Sequence, residues 1–257
     1  MKKTFIAVAA VLALTAGSAM AGGDGDEELS VSSNTEINNV ANVRTCLFFF
    51  GFNWVDGEAK ANIGNEQLTF NNTLEPGKMK HHHKDHGDDP TATVGGGALA
   101  KASGNIGVNV AAGVGNNQSN DVALAAIDAD NVFAAATSVS HQKTFGNSEK
   151  RMTNTATLDG GALADAKGNI GVNIAAGAGN NQENALAASI NKSGVLAMAT
   201  GTNDQTTSGN KETGVVDMAT LGGGALAGAV GNIGVNLAAG VGNNQHNSLA
   251  IAVGAKL

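Results

Sequence analysis

A near-identical stretch occurs three times in this chain: GNIGVNVAAGVGNNQSN at 104–120, GNIGVNIAAGAGNNQEN at 168–184 and GNIGVNLAAGVGNNQHN at 231–247. Ile106, Ile170 and Ile233 mark the phase, with spacings of 170 − 106 = 64 and 233 − 170 = 63 residues. A repeat kept this closely constrains the fold more than any local motif, because each copy must be one unit of a repeating architecture. One unit offers a handful of medium apolar side chains, each worth about 1.5–3 kcal/mol when buried. Ordering its backbone costs about 1–2 kcal/mol per residue. A single unit therefore does not fold alone, and neighbouring units must stack.

Within the unit, Ile106, Val108 and Val110 alternate with Asn105, Gly107 and Asn109. A period of two is the signature of a strand. The same holds for Ile170 and Val172, and for Ile233 and Val235. Ala111-Ala112-Gly113 and Gly115 permit a corner, and Asn116, Gln118 and Asn120 start the next strand. The Ala-Leu-Ala segments favour helix by propensity, but glycines every few residues oppose it. The expected fold is all-β: a repeat β-solenoid or Greek-key-like stack of layers, cross-β on assembly, with a disordered or loosely packed N-terminal region.

Composition agrees. The chain of 257 residues has 36 glycines, 2 prolines, no tyrosine and 4% aromatic residues, too few large side chains for an ordinary core of this length. Scarce proline suits ladders, since proline removes a donor. A net charge of −7 argues against nucleic acid as a partner. The single Cys46 excludes an internal disulfide framework.

The expected organisation runs as follows. Residues 1–21 carry Lys2 and Lys3, an apolar run from Phe5 to Leu14 and an Ala19-Met20-Ala21 end, which reads as a signal peptide. The run is too short to span a bilayer, and no later stretch does so. Residues 22–90 form a variable N-terminal region with an aromatic cluster at 46–54 and a His-rich linker. Repeats occupy 91–127, 155–190 and 218–257, separated by linkers at 128–154 and 191–217. Ala59–Asn72 echoes the repeat only through Asn62-Ile63-Gly64 and is not counted as a unit.

The candidate functional residues are those that would meet in a stack. At a layer spacing of about 4.7–4.8 Å, side-chain amides can bond to their own kind, because each carries donors and acceptors. The expected ladders are Asn109/Asn173/Asn236, Asn116/Asn180/Asn243, Asn117/Asn181/Asn244, Gln118/Gln182/Gln245 and Asn120/Asn184/Asn247. The expected core is Ile106, Val108, Ile170, Val172, Ile233 and Val235. Ser119, Glu183 and His246 are equivalent but chemically unrelated, and so are expected at the solvent face. Lys101 and Asp165 are equivalent and opposite in charge.

His81, His82, His83 and His86 could ligate a divalent metal weakly. Adjacent histidines between Gly77, Gly87 and Pro90 do not fix a geometry, so the segment reads first as a solvated linker, and no cofactor is expected. No phosphate-binding loop and no serine–histidine–acid pattern is present, so no catalytic constellation emerges.

The repeats resemble the Fap functional-amyloid family of bacterial biofilm proteins, whose fibre subunits carry three imperfect Gly-Val-Asn-x-Ala-Ala-Gly-x-x-Asn-Gln-Gln-x-Asn repeats. The match runs through Gly107-Val108-Asn109, Ala111-Ala112-Gly113, Asn116 and Asn120, and likewise from Gly171 to Asn184 and from Gly234 to Asn247. Asn-Gln replaces the family's Gln-Gln, and no Cys-x-x-Cys follows. The resemblance implies secretion and assembly with copies of itself into extracellular biofilm fibres, with a nucleating subunit and an outer-membrane secretion pore as further partners. Two other readings are a surface adhesin with a β-roll-like head and a secreted His-rich metal-binding protein.

Overall fold

In the computed structural model, residues 31–47, 53–75, 89–128, 133–192 and 196–254 are described, with side chains from Ala59 onward. The expected signal peptide and the four histidines lie outside these residues. So does most of the aromatic cluster: Cys46 and Leu47 end one strand, and Asn53 and Trp54 begin the next.

All regular structure among the described residues is β-strand. β1 (Val31–Leu47) precedes three successive layers. The first contains β2 (Asn53–Phe70), β3 (Thr73–Leu74), β4 (Thr91–Val94), β5 (Ser103–Ala112) and β6 (Asn117–Ile127). The second contains β7 (Phe133–Phe145), β8 (Ser148–Lys150), β9 (Thr153–Leu158), β10 (Lys167–Ala176) and β11 (Asn181–Asn191). The third contains β12 (Leu196–Ser208), β13 (Lys211–Thr213), β14 (Val216–Leu221), β15 (Val230–Ala239) and β16 (Asn244–Val253).

Equivalent strands pair in parallel and in register between layers. Gly107, Gly171 and Gly234 fall in one row, as do Gln118, Gln182 and Gln245. Within a layer, β9, β10 and β11 follow one another and β7 returns against the outer side of β11. That spatial order is a Greek key, so the expected layered all-β fold is the one observed.

The segments at 128–154 and 191–217, read above as linkers, supply the longest strand of their layers and a short one after it. β7 pairs with β12 from Phe133 opposite Leu196, and with β2 from Phe133 opposite Glu58. Residues 59–70 thus belong to the first layer, and Ile63 stacks on Ser138 rather than on Ile106. The offset between the first two layers is 133 − 58 = 75 residues at β2 but 155 − 91 = 64 at β4. The difference, 75 − 64 = 11 residues, is an insertion between β3 and β4, where the His-rich tract lies.

Two apolar slots hold each layer. Ile170, Val172, Ile174 and Ala176 face Ala156, Leu158, Ala162 and Leu163, with the equivalents Ile106, Val108 and Val110 packed alongside. On the far side of β11, Ala187 joins Ala61, Ile63, Ala123, Ala125 and Ala136. The Ala-Leu-Ala segments fold as turns whose amides also reach the next layer: Leu163 N donates to Ala225 O (2.6 Å) and Lys101 N to Ala164 O (2.8 Å). Gly171 allows the closest approach between β10 and its neighbours, because a Cβ there would stand 2.2 Å from Asn120 Oδ1.

Candidate functional site: the amide rows and the open third layer

The surface between β10 and β11 is lined by amides, since alternation places Asn173 on one wall and Gln182 and Asn184 on the other. Asn173 Nδ2 donates to Asn109 Oδ1 (3.0 Å), and Asn236 Nδ2 donates to Asn173 Oδ1 (2.9 Å). Asn184 Nδ2 donates to Asn120 Oδ1 (3.0 Å), and Asn247 Nδ2 to Asn184 Oδ1 (3.0 Å). At the corner, Asn180 donates to Asn116 (2.9 Å) and Asn243 to Asn180 (2.8 Å). In these rows every donor points toward the first layer.

The rows beside them run the other way. Asn117 Nδ2 donates to Asn181 Oδ1 (3.1 Å), and Asn181 Nδ2 to Asn244 Oδ1 (3.0 Å). Gln118 Nε2 donates to Gln182 Oε1 (2.7 Å), and Gln182 Nε2 to Gln245 Oε1 (2.8 Å). An amide suits a row because it gives and receives at once.

Three further features lie outside the repeats or break their pattern. Gln142 Nε2 donates to Gln67 Oε1 and Gln205 Nε2 to Gln142 Oε1, both at 2.8 Å. Asn72, Asn147 and Asn210 form a second such row. These rows sit in β2, β7 and β12 or just beyond them, where surrounding identity is low. The recurring Gln-x-Thr at Gln67/Thr69, Gln142/Thr144 and Gln205/Thr207 was the available signal.

The third feature is acidic. Ser119 and Glu183 do not face solvent as expected: they are 4% and 0% exposed. β11 is covered on both sides, by β10 and by β7, so both of its faces are interior. Glu183 lies across from Asp121, whose carboxyl is pushed up to about 7 by burial and by the Glu183 charge. His246 Nδ1, in the third layer, stands 3.5 Å from Glu183 Oε2.

Near the β11 corner, Glu149 accepts from Val114 N (2.6 Å) and from Asn154 Nδ2, and Glu212 accepts from Ala178 N (2.7 Å). Burial raises Glu149 to about 7 and Glu212 to about 8, the latter helped by a hydrogen bond to Asp217 and by its charge. Glu149, Glu212 and Asp217 are the one described carboxylate group close enough to share a cation. Their equivalents in the first layer are Leu74 and Pro90.

Exposure changes sharply along the stack. Ile170 and Ile174 are 1% and 0% exposed in the middle layer, while Ile233 and Leu237, their third-layer equivalents, are 39% and 41% exposed. Val216, Met218 and Val230 are exposed at the same end. A cleft of ≈ 290 Å³ also crosses all three layers, floored by Gly107, Gly171 and Gly234.

A family model described as "Functional amyloid protein FapB/FapC family" matches residues 54–254. A relative in Pseudomonas aeruginosa, described as "Functional amyloid subunit FapC", is 44% identical over 118 residues. That match covers 44% of this chain and 34% of the relative, so the chain spans about a third of the relative's length. No solved structure matches the chain. The family match starts at the first residues of β2 and ends at the last of β16, taking in all three layers, and the chain therefore belongs to the functional amyloid protein FapB/FapC family.

Proposed function

We propose that this chain is a structural fibre subunit that polymerises end to end, the third layer of one copy receiving the first layer of the next. One observation carries this reading: the third layer exposes the side chains that the middle layer buries completely. The amide rows support it, since each has a direction that a following copy would continue. In the 109/173/236 row the third-layer end presents Asn236 Oδ1, and the first-layer end presents Asn109 Nδ2. Such a contact joins two different faces and does not close on itself, so it yields a filament rather than a ring.

The product is an extracellular amyloid fibre of the biofilm matrix. The chain reaches the outside by the signal peptide at 1–21 and an outer-membrane pore, and a nucleating subunit starts growth. The histidines at 81–86 take no part in the stack, because they fall in the insertion between β3 and β4. The roles of the amide ladders and of the Ile/Val rows in assembly belong to the same proposal.

The test is quiescent incubation of purified residues 22–257 at neutral pH, with and without chelator, followed by thioflavin fluorescence and fibre diffraction. A lag, seeded growth and reflections near about 4.7 and 10 Å, unchanged by chelator, are expected. A stable soluble monomer or trimer would overturn the reading.

A further inference from the structure

The sheet that contains β2 differs from the other four. Its order is β1-β2-β7-β12, four strands, whereas every other sheet has three. β1 is also antiparallel to β2, while all pairings between layers are parallel. Strands in a sheet sit about 4.7–4.9 Å apart. Copies joined end to end therefore advance by three strand spacings in four sheets and by four in this one. A continuous stack cannot satisfy both.

The register shows which strand is out of place. Phe133 pairs with Glu58 on one side and with Leu196 on the other. A following copy in the same register would set its Leu196 opposite Glu58 and its Gln205 opposite Gln67, extending the Gln67/Gln142/Gln205 row. β1 occupies that edge instead, with Ser33 opposite Gln67 and Ala41 opposite Ala59.

We propose that the edge of β2 is a docking site for β12 of a second copy, and that β1 is a displaceable cover that holds this edge until the second copy arrives. This rests on the end-to-end reading above. Before assembly, β1 shields the longest open strand edge of the first layer, the kind of edge that templates aggregation. It also stands as a ledge one strand high against an incoming third layer. On joining, β12 of the second copy takes its place in parallel, and β3, β4, β5 and β6 become free to pair at the same time.

A reversible staple tests this. Ala41→Cys and Ala59→Cys, in a Cys46→Ser background, place two thiols on a register pair of the β1–β2 ladder. Antiparallel partners have Cα atoms about 4.5–5.5 Å apart, within the range a disulfide bridges. The full chain is offered to wild-type seeds, oxidised and then reduced. The expected result is loss of seeded growth when oxidised and its return on reduction. A chain lacking residues 31–47 is expected to grow with a shortened lag. Equal growth of the oxidised and reduced forms would overturn the cover while leaving end-to-end stacking intact. Absence of growth in the reduced form and in wild type would overturn the fibre reading itself, and the cover with it.

Discussion

Asn173→Asp is the substitution that most sharply probes the amide rows. Asn173 is 0% exposed, donates through Nδ2 to Asn109 Oδ1 and to Ser119 O (2.7 Å), and accepts from Asn184 Nδ2 (2.8 Å) and Asn236 Nδ2. An ionised aspartate keeps the acceptors and loses both donors. Asn109 Oδ1 retains a donor in Asn120 Nδ2 (2.7 Å), so Ser119 O is the group left bare. The aspartate can restore one donor only by taking up a proton. Holding a carboxyl of ordinary pKa about 3.9 in its neutral form at pH 7 costs about 4 kcal/mol, at 1.36 kcal/mol per unit. The expected readout is the concentration of soluble chain left in equilibrium with fibres. At tenfold per 1.4 kcal/mol, it rises by about a thousandfold over wild type at pH 7 and recovers about tenfold for each pH unit lowered toward 4. Asn232→Asp is the control, since Asn232 is exposed and stacks on Asn169 in the open. A variant within about threefold of wild type at pH 7, or a penalty that does not fall with pH, would refute the argument.

Other consequences are as definite. Ile174→Ala should cost about 2–5 kcal/mol, the ordinary range for a fully buried side chain, and in fibres Leu237→Ala should cost a similar amount, although Leu237 is 41% exposed in the single chain; chemical denaturation of fibres compares them. Gly171→Ala should raise the soluble fraction, because the new methyl meets Asn120 Oδ1 and pushes that amide out of its row. Glu149 and Glu212 have folded-state pKa values raised from 4.5 to about 7 and about 8. Their contribution is therefore complete below about 4.5 and is lost as pH rises through 7 to 8. Fibres should be more resistant to denaturant at pH 5 than at pH 9, and Glu212→Gln should flatten that difference.

The register of the stack was legible because identical residues at offsets of 64 and 63 leave one alignment that pairs like with like. Alternation then placed Ile170 and Asn173 on opposite faces of β10. What stayed hidden were features that identity does not mark. β2, β7 and β12 share little beyond alanines, Gln67/Gln142/Gln205 and a following threonine, because their outward faces are free to vary. The insertion between β3 and β4 also breaks the 64-residue period just where β2 would have been recognised. The burial of Glu183 was missed for a related reason. Variation from Ser119 to His246 suggested solvent, but β11 is interior on both faces, and the variation is accommodated by sharing protons and charge with Asp121 and His246.

Mass per unit length of a single protofilament, by electron scattering, tests end-to-end stacking most directly. A chain of 25.5 kDa occupying three layers advances about 14 Å along the axis, which gives about 1.8 kDa per Å. That is the value this account predicts, slightly lower once residues 1–21 are removed. A value near 5.4 kDa per Å, one whole chain per ~4.7 Å step, would mean that repeats stack only on the same repeat of neighbouring chains, and would contradict it.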